Sequence, residues 1–213
     1  MARWQSILLA ITILLCSAAS AQSISVVDDN GHTVTLTGPA WRSGNPQAAV
    51  QRLIDLGFNV YVAEPRTLLS IADHIEKFAT LAGTEETGQA ASKYFREQLE
   101  ILRSRYQDSA KVSVFYQVWN QPLISVGGNE LINDIITLCG GSNIFTDLGL
   151  APKVSVESVL ERDPALIIAS GMDIARPEWL DEWRRWPQLQ AVANDALFFI
   201  PPDLVQRHSL RVL

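Results

Sequence analysis

Polar and apolar positions alternate over 111–118, with β-branched and aromatic residues among them, and this pattern predicts a half-buried strand. Trp119, Asn120, Gln121 and Pro122 follow it directly. Gly127 and Gly128 then turn the chain toward a helix expected over 129–138, with Asn129 as its cap. A tryptophan therefore stands at the carboxyl end of a strand, which is where open α/β sheets bind ligands. Ahead of this unit the period changes. Ala91, Phe95, Leu99 and Leu102 recur every three or four residues within 84–106, as one amphipathic helix of about six turns requires.

The rest of the chain reads as two α/β blocks on either side of that long helix. Residues 24–27 and 33–36 are short strands about the turn Asp28-Asp29-Asn30-Gly31, a hairpin signal. Asn45 followed by Pro46 opens a helix that Gly57 ends. A strand is expected over 58–63 and a helix over 68–81, closed by Gly83. The first block thus holds only one strand of the parallel type. In the second block, Ser155 starts a helix that Arg162 and Asp163 end before Pro164, and 165–169 is a buried strand. Pro177 opens the helix EWLDEWRRW, and 197–200 is a further strand. Strands connected through helices imply parallel pairing, hence an α/β fold with parallel sheets.

The first residues bear on the compartment. Arg3, an apolar run over 7–15 broken only by Thr12, and the small residues Ala19-Ser20-Ala21 form a cleavable signal peptide, 1–21, with cleavage expected between Ala21 and Gln22. The run is much shorter than the roughly 20 residues that span a bilayer. Leu15 before Cys16 departs from the small residue that lipid attachment would need. Export to a bacterial periplasm is the expectation.

Charge and chemistry narrow the function. The chain carries 17 basic and 23 acidic residues, net −6, and loss of Arg3 with the leader makes the balance one unit more negative. Nucleic acid is a poor partner for such a surface, because phosphates demand clustered Lys and Arg. His32, His74 and His208 stand far apart and read as surface or cap residues. No His-Glu-x-x-His, Cys-x-x-Cys, Gly-x-Ser-x-Gly or phosphate-binding loop occurs. Gly140-Gly141-Ser142-Asn143 reads as a helix C-cap and turn. Neither catalysis nor a metal site is expected. Cys139 is alone once Cys16 leaves with the signal, and two readings stand: a buried thiol on the 129–138 helix, or a cysteine whose partner is missing.

Five stretches carry a resemblance that covers nearly all of the chain after residue 21: AWRSGNP (40–46), VFYQVWNQPLIS (114–125), LCGGSNIF (138–145), VSVESVLERDPALII (154–168) and WPQLQAVANDALFFIP (186–201). The chain resembles the periplasmic cobalamin-binding proteins of vitamin ABC importers, within the larger helical-backbone family that also binds siderophores, haem and metal ions. The resemblance implies a rigid clamp that binds and delivers without chemistry: an N-terminal lobe (22–83), a linking helix (84–109) and a C-terminal lobe (110–213), with ligand in the cleft. It implies a corrinoid ligand, no resident cofactor, a monomer, and an ABC importer permease in the inner membrane as partner. By similarity Trp41 packs against the corrin ring, with Arg42 beside it. Trp119, Pro122, Leu123 and Ile124 form the opposing ligand loop, and Glu157 is the second-lobe carboxylate that pairs with permease arginines.

Departures from the pattern matter as much. Ile124 and Ala151 stand where relatives present aromatic rings. Pro39 and Ala40 run straight into Trp41, whereas relatives insert about fifty residues there, close to two βα units. The chain also stops before the closing helices that, in cobalamin-binding relatives, hold the disulfide partner of the cysteine matching Cys139. An incomplete first lobe and weakened binding follow as expectations. A siderophore, haem or metal-chelate receptor, or a non-functional fragment of such a receptor, is the alternative.

Overall fold

The computed structural model describes residues 24–28, 31–36, 47–171 and 175–213. The predicted signal peptide and the Asn45–Pro46 helix start lie outside the described residues.

Four strands make one parallel sheet: β3 (Val112–Gln117), β4 (Gly141–Asn143), β5 (Leu166–Ala169) and β6 (Leu197–Phe199), in the order β4-β3-β5-β6. Side chains alternate across it as the pleat demands. Phe115, Ile167, Ala169 and Leu197 point to one face, where Val159, Leu180, Trp183 and Ala191 cover them. Those covering residues come from α5 (Val156–Arg162), a 3₁₀ helix (Glu178–Arg185) and α6 (Gln190–Ala193). Val114, Tyr116, Leu166 and Ile168 point to the other face, beneath α4 (Leu131–Leu138) and α7 (Pro202–Val205).

Two further helices build outward from α4. α2 (Leu68–Ala82) turns through Gly83 into α3 (Glu85–Tyr106), and the two pack against each other and against Leu131 of α4. The crossing is close at Gly88, where a β-carbon would lie 2.0 Å from the Ala79 β-carbon. α4 is therefore apolar on two sides. Ile132 and Ile136 face the sheet, whereas Leu131 and Leu138 face the α2–α3 pair. Its Asp134 carboxylate also accepts a 2.7 Å hydrogen bond from the backbone N–H of Leu68, the first residue of α2. That carboxylate satisfies an orphan donor at a helix N-terminus across 66 residues of chain.

The N-terminal part departs from expectation. β1 (Ile24–Val27) and β2 (Thr33–Leu36) form the predicted antiparallel hairpin, and α1 (Gln47–Asp55) ends near Gly57 as read. The 58–63 strand is not formed: within this segment Ala63 makes a single bridge, although Tyr61, Val62 and Ala63 are buried. Tyr61 and Ala63 pack against Val26, Phe78 and Leu81. Among the described residues of this half no parallel sheet occurs, and the parallel pairing described is that of the C-terminal sheet.

Three local readings also change. α4 begins after Glu130, which makes no side-chain cap, so Asn129 is not the capping residue. The cause lies in the double glycine. A β-carbon on Gly127 would sit 2.0 Å from the Gly149 carbonyl oxygen, and one on Gly128 2.4 Å from that of Thr146, so the chain leaves this contact before it can coil. Gly141-Ser142-Asn143, read as turn, is strand β4 after Gly140 (φ 84°). EWLDEWRR is 3₁₀ rather than α: Leu180 and Trp183 are eclipsed on its buried side, and Asp181 and Arg184, 3.3 Å apart, on its outer side.

Gly127→Ala is expected to lower stability by about 1–3 kcal/mol, because backbone rather than a movable side chain blocks the added methyl. Asp134→Ala is expected to lower it by about 1 kcal/mol through loss of the helix cap. Urea unfolding midpoints at unchanged m-value check both.

Candidate functional site

The sheet order fixes where a crevice opens. From β3 the chain crosses through α4 to β4 on one side, then returns through α5 to β5 on the other. The carboxyl ends of β3 and β5 are thus the point at which the winding reverses, and the loops leaving them part there. An open cavity of about 1120 Å³ lies at this point, with Trp119, Asn120 and Gln121 after β3, Gly171 after β5, Arg176 and Pro177 just ahead of the 3₁₀ helix, and Glu178, Trp179 and Glu182 on it.

The loop after β3 is held by its own backbone. Val118 N–H donates to Ile124 O at 2.9 Å and Ile124 N–H to Trp119 O at 3.1 Å, which folds 118–124 into a narrow turn containing a cis Gln121–Pro122 bond. Ile124 also bridges to Lys153, and Val154 N–H donates to Leu123 O at 3.0 Å. The Trp119 indole donates to the Gln121 carbonyl at 3.0 Å, and 38% of the residue remains exposed, so an aromatic face is presented at the rim. Opposite it stands Trp179, half-buried over Gly171.

Charge at the rim is largely spent within the protein. Arg176 forks onto both oxygens of Asp181 at 2.6 and 2.8 Å, and Arg184 joins Asp181 to Asp195. The Arg176 and Arg184 hydrogen bonds hold the Asp181 carboxyl down at about 2. Glu178 and Glu182 line the cavity with no ion pair among the described residues.

The expected ligand-loop residues divide between the cavity and the turn behind it. Trp41 and Arg42 lie outside the described residues. Trp119 lines the cavity, whereas Pro122, Leu123 and Ile124 are absent from its lining: Pro122 is exposed on the turn, Leu123 packs into the core, and Ile124 is the bridge residue. Glu157 is exposed in the first turn of α5, and hydrogen bonds from its own backbone N–H and from Ser155 depress its carboxyl below the ordinary value. Trp179, Arg176, Glu178 and Glu182 were missed. Their signal, an Arg-Pro pair entering an aromatic amphipathic segment, was read as an ordinary helix.

Cys139 and His74 depart from their expected settings, whereas His32 and His208 lie at the surface. Cys139 is exposed at the C-cap of α4 rather than buried on it, and partial burial still pushes its thiol up. His74 is not a surface residue. Only 4% exposed, it meets the Ser70 carbonyl at 2.7 Å and packs against Tyr61 and Phe78. His208 lies at the surface, and partial burial, with the nearby His74, lowers its pKa. His32 is exposed beside Asp28. Among the described residues no group of His, Cys, Asp and Glu could hold a metal ion.

A two-faced parallel sheet with an aromatic cleft at its winding reversal is the architecture of an α/β ligand-binding protein. The chain belongs to the periplasmic binding protein family, whose profile matches residues 37–204. It is 36% identical over 176 residues to a vitamin B12-binding protein of Vibrio cholerae, covering 82% of this chain and 63% of that protein. A vitamin B12-binding protein of Yersinia pestis is 37% identical over 133 residues, covering 62% of this chain and 48% of that one. The crystal structure of the periplasmic vitamin B12-binding protein of Vibrio cholerae superposes with a TM-score of 0.70 at 33% identity, covering 79% of this chain and 66% of that one. A periplasmic haem-binding protein from Roseiflexus shares the fold at a TM-score of 0.68 and 14% identity, covering 79% of this chain and 67% of that one. The chain thus spans about two thirds or less of the curated relatives it matches.

The Asp181 pKa, depressed from 3.8 to about 2, means that its ion pairs stabilise the rim fully above about pH 3.8 and are lost as pH falls through about 2. Carboxyl carbon NMR titration of Asp181 is expected to report that low value, and Arg176→Ala to move it back toward 3.8.

Proposed function

We propose that this chain is an exported solute-binding protein whose cleft receives cobalamin or another corrinoid and presents it to the permease of an ABC importer, with no chemistry of its own. The observation that carries the reading is the pairing of vitamin B12-binding relatives, 36% identical over 82% of this chain, with a tryptophan-rimmed cavity at the carboxyl ends of β3 and β5. A corrin macrocycle offers a broad apolar face and a periphery of neutral amides. Trp119 and Trp179 suit the face; Asn120 and Gln121 suit the amides. Haem is the second reading, and the cavity charge counts against it: two propionates would meet Glu178 and Glu182, while Arg176 is already committed to Asp181. Siderophores and metal chelates remain within the same family reading.

The rest of the reading rests on the resemblance. Residues 1–21 act as a cleaved signal peptide, 22–83 and 110–213 act as two lobes about the linking helix 84–109, and the protein works as a monomer. Trp41 and Arg42 face the ligand from the first lobe, Pro122, Leu123 and Ile124 support the ligand loop, and Glu157 docks onto permease arginines. A first lobe with no parallel sheet among its described residues weakens the grip on ligand, and in the limit the chain is a non-binding fragment.

Isothermal titration with cyanocobalamin, alongside haem and the full-length Vibrio cholerae relative, tests the proposal. Corrinoid binding weaker than that of the relative but tighter than that of haem is expected, and Trp119→Ala is expected to weaken it about tenfold. Haem bound more tightly than cyanocobalamin, or no corrinoid bound at all, would overturn it.

A further inference from the structure

Gln117 is the last residue of β3 and has no exposed surface. An amide in that position follows three apolar or aromatic buried residues, Val114, Phe115 and Tyr116, and needs partners for all its polar atoms. It finds them in three different elements. The Trp183 indole N–H donates to its Oε1 at 2.7 Å, its Nε2 donates to Asn120 Oδ1 at 3.4 Å, and its main-chain oxygen accepts from Ser170 N–H at 3.0 Å. The amide can stand only one way round, because an indole donates and never accepts. Oε1 must face Trp183, and the NH₂ group must face Asn120.

Those partners belong to the two sides of the cavity. Asn120 lines it from the β3 loop. Trp183 does not line it, but sits on the buried side of the 3₁₀ helix whose outer residues Glu178, Trp179 and Glu182 do. Trp183 is fixed in turn, with its ring 5.5 Å from that of Phe115 in an edge-on contact. Ser170, bonded to the main chain of Gln117, precedes Gly171 on the β5 side of the same cavity.

We infer that Gln117 is a positioning residue for ligand binding: one buried amide sets the spacing of the cleft's two walls. The inference rests on the corrinoid reading for its ligand and on the geometry alone for its mechanism. It touches no ligand itself. Its effect passes through Asn120 and the neighbouring Trp119 on one wall and through Trp183 on the other.

The test uses Gln117→Met, Trp183→Phe and the double variant in the full chain. Three quantities are measured: cyanocobalamin affinity, thermal midpoint, and acrylamide quenching of Trp119, taken as the difference from the same protein carrying Trp119→Phe. Each single variant is expected to weaken binding about tenfold, as loss of one well-made buried hydrogen bond would, and to raise the quenching of Trp119. The double variant is expected to be no worse than the poorer single, since Gln117→Met already removes the link that Trp183→Phe cuts. If Gln117→Met fails to fold, Trp183→Phe cuts the Trp183 link alone without altering β3. Variants that lose thermal stability while affinity and quenching stay at wild-type values would reduce Gln117 to a core amide and overturn the inference, as would losses that simply add. A wild-type protein that binds no cyanocobalamin overturns the corrinoid reading, and the quenching series still decides the role of Gln117.

Discussion

A parallel sheet must be covered on both faces, and most of this molecule follows from meeting that requirement with four short strands. Two-sided burial makes β3 and β5 apolar at successive positions, sends α4 to one side and α5 to the other, and so reverses the winding between β3 and β5. The cavity is a by-product of that reversal, not a separate invention. The energies agree with this order of importance. Each buried Phe, Ile or Leu contributes about 1.5–3 kcal/mol, whereas an exposed pair such as Arg207–Asp203 contributes about 0–1 kcal/mol. Core burial therefore builds the scaffold, and the ion pairs adjust its rim.

α4 carries more than its eight residues suggest. A helix that only roofed a sheet would show one apolar stripe, but LINDIITL has two, and Asp134 lies between them. Through the Leu68 N–H that carboxylate pins the start of α2 to the C-terminal sheet, and the close crossing at Gly88 then carries α3 along. The long helix is consequently packed on α2 and α4, a brace rather than a free-standing rod.

Legibility in the sequence followed the range of the forces involved. β3, α2, α3, α5 and β5 were read within a residue or two, because each is declared by local periodicity and a cap: Thr67 with Ser70, Ser155, and Gly83 act on their own neighbours. β4 was missed because three residues of Gly, Ser and Asn carry no strand signature and are strand only by lying beside β3. The 58–63 segment erred in the opposite direction: its residues are strand-like, but among the described residues it forms a bridge at Ala63 and no strand. At the cleft, Trp119 was legible from its place after a strand. The wall facing it was not, because nothing in EWLDEWRRW announces that Trp183 turns inward to Gln117 while Glu178 and Glu182 turn outward. Such a division depends on which side of the sheet the segment meets, a tertiary fact.

The floor and the far wall of the cleft also differ in how they open. β3 is bonded on both edges by β4 and β5, so its amides exchange with solvent only in rare, large-scale openings. The 3₁₀ helix holds itself by strained three-residue bonds and exposes its outer side, so it loosens at far lower free energy. The wall along the 3₁₀ helix is therefore the softer side of the cleft, and the β3 side is the firmer one.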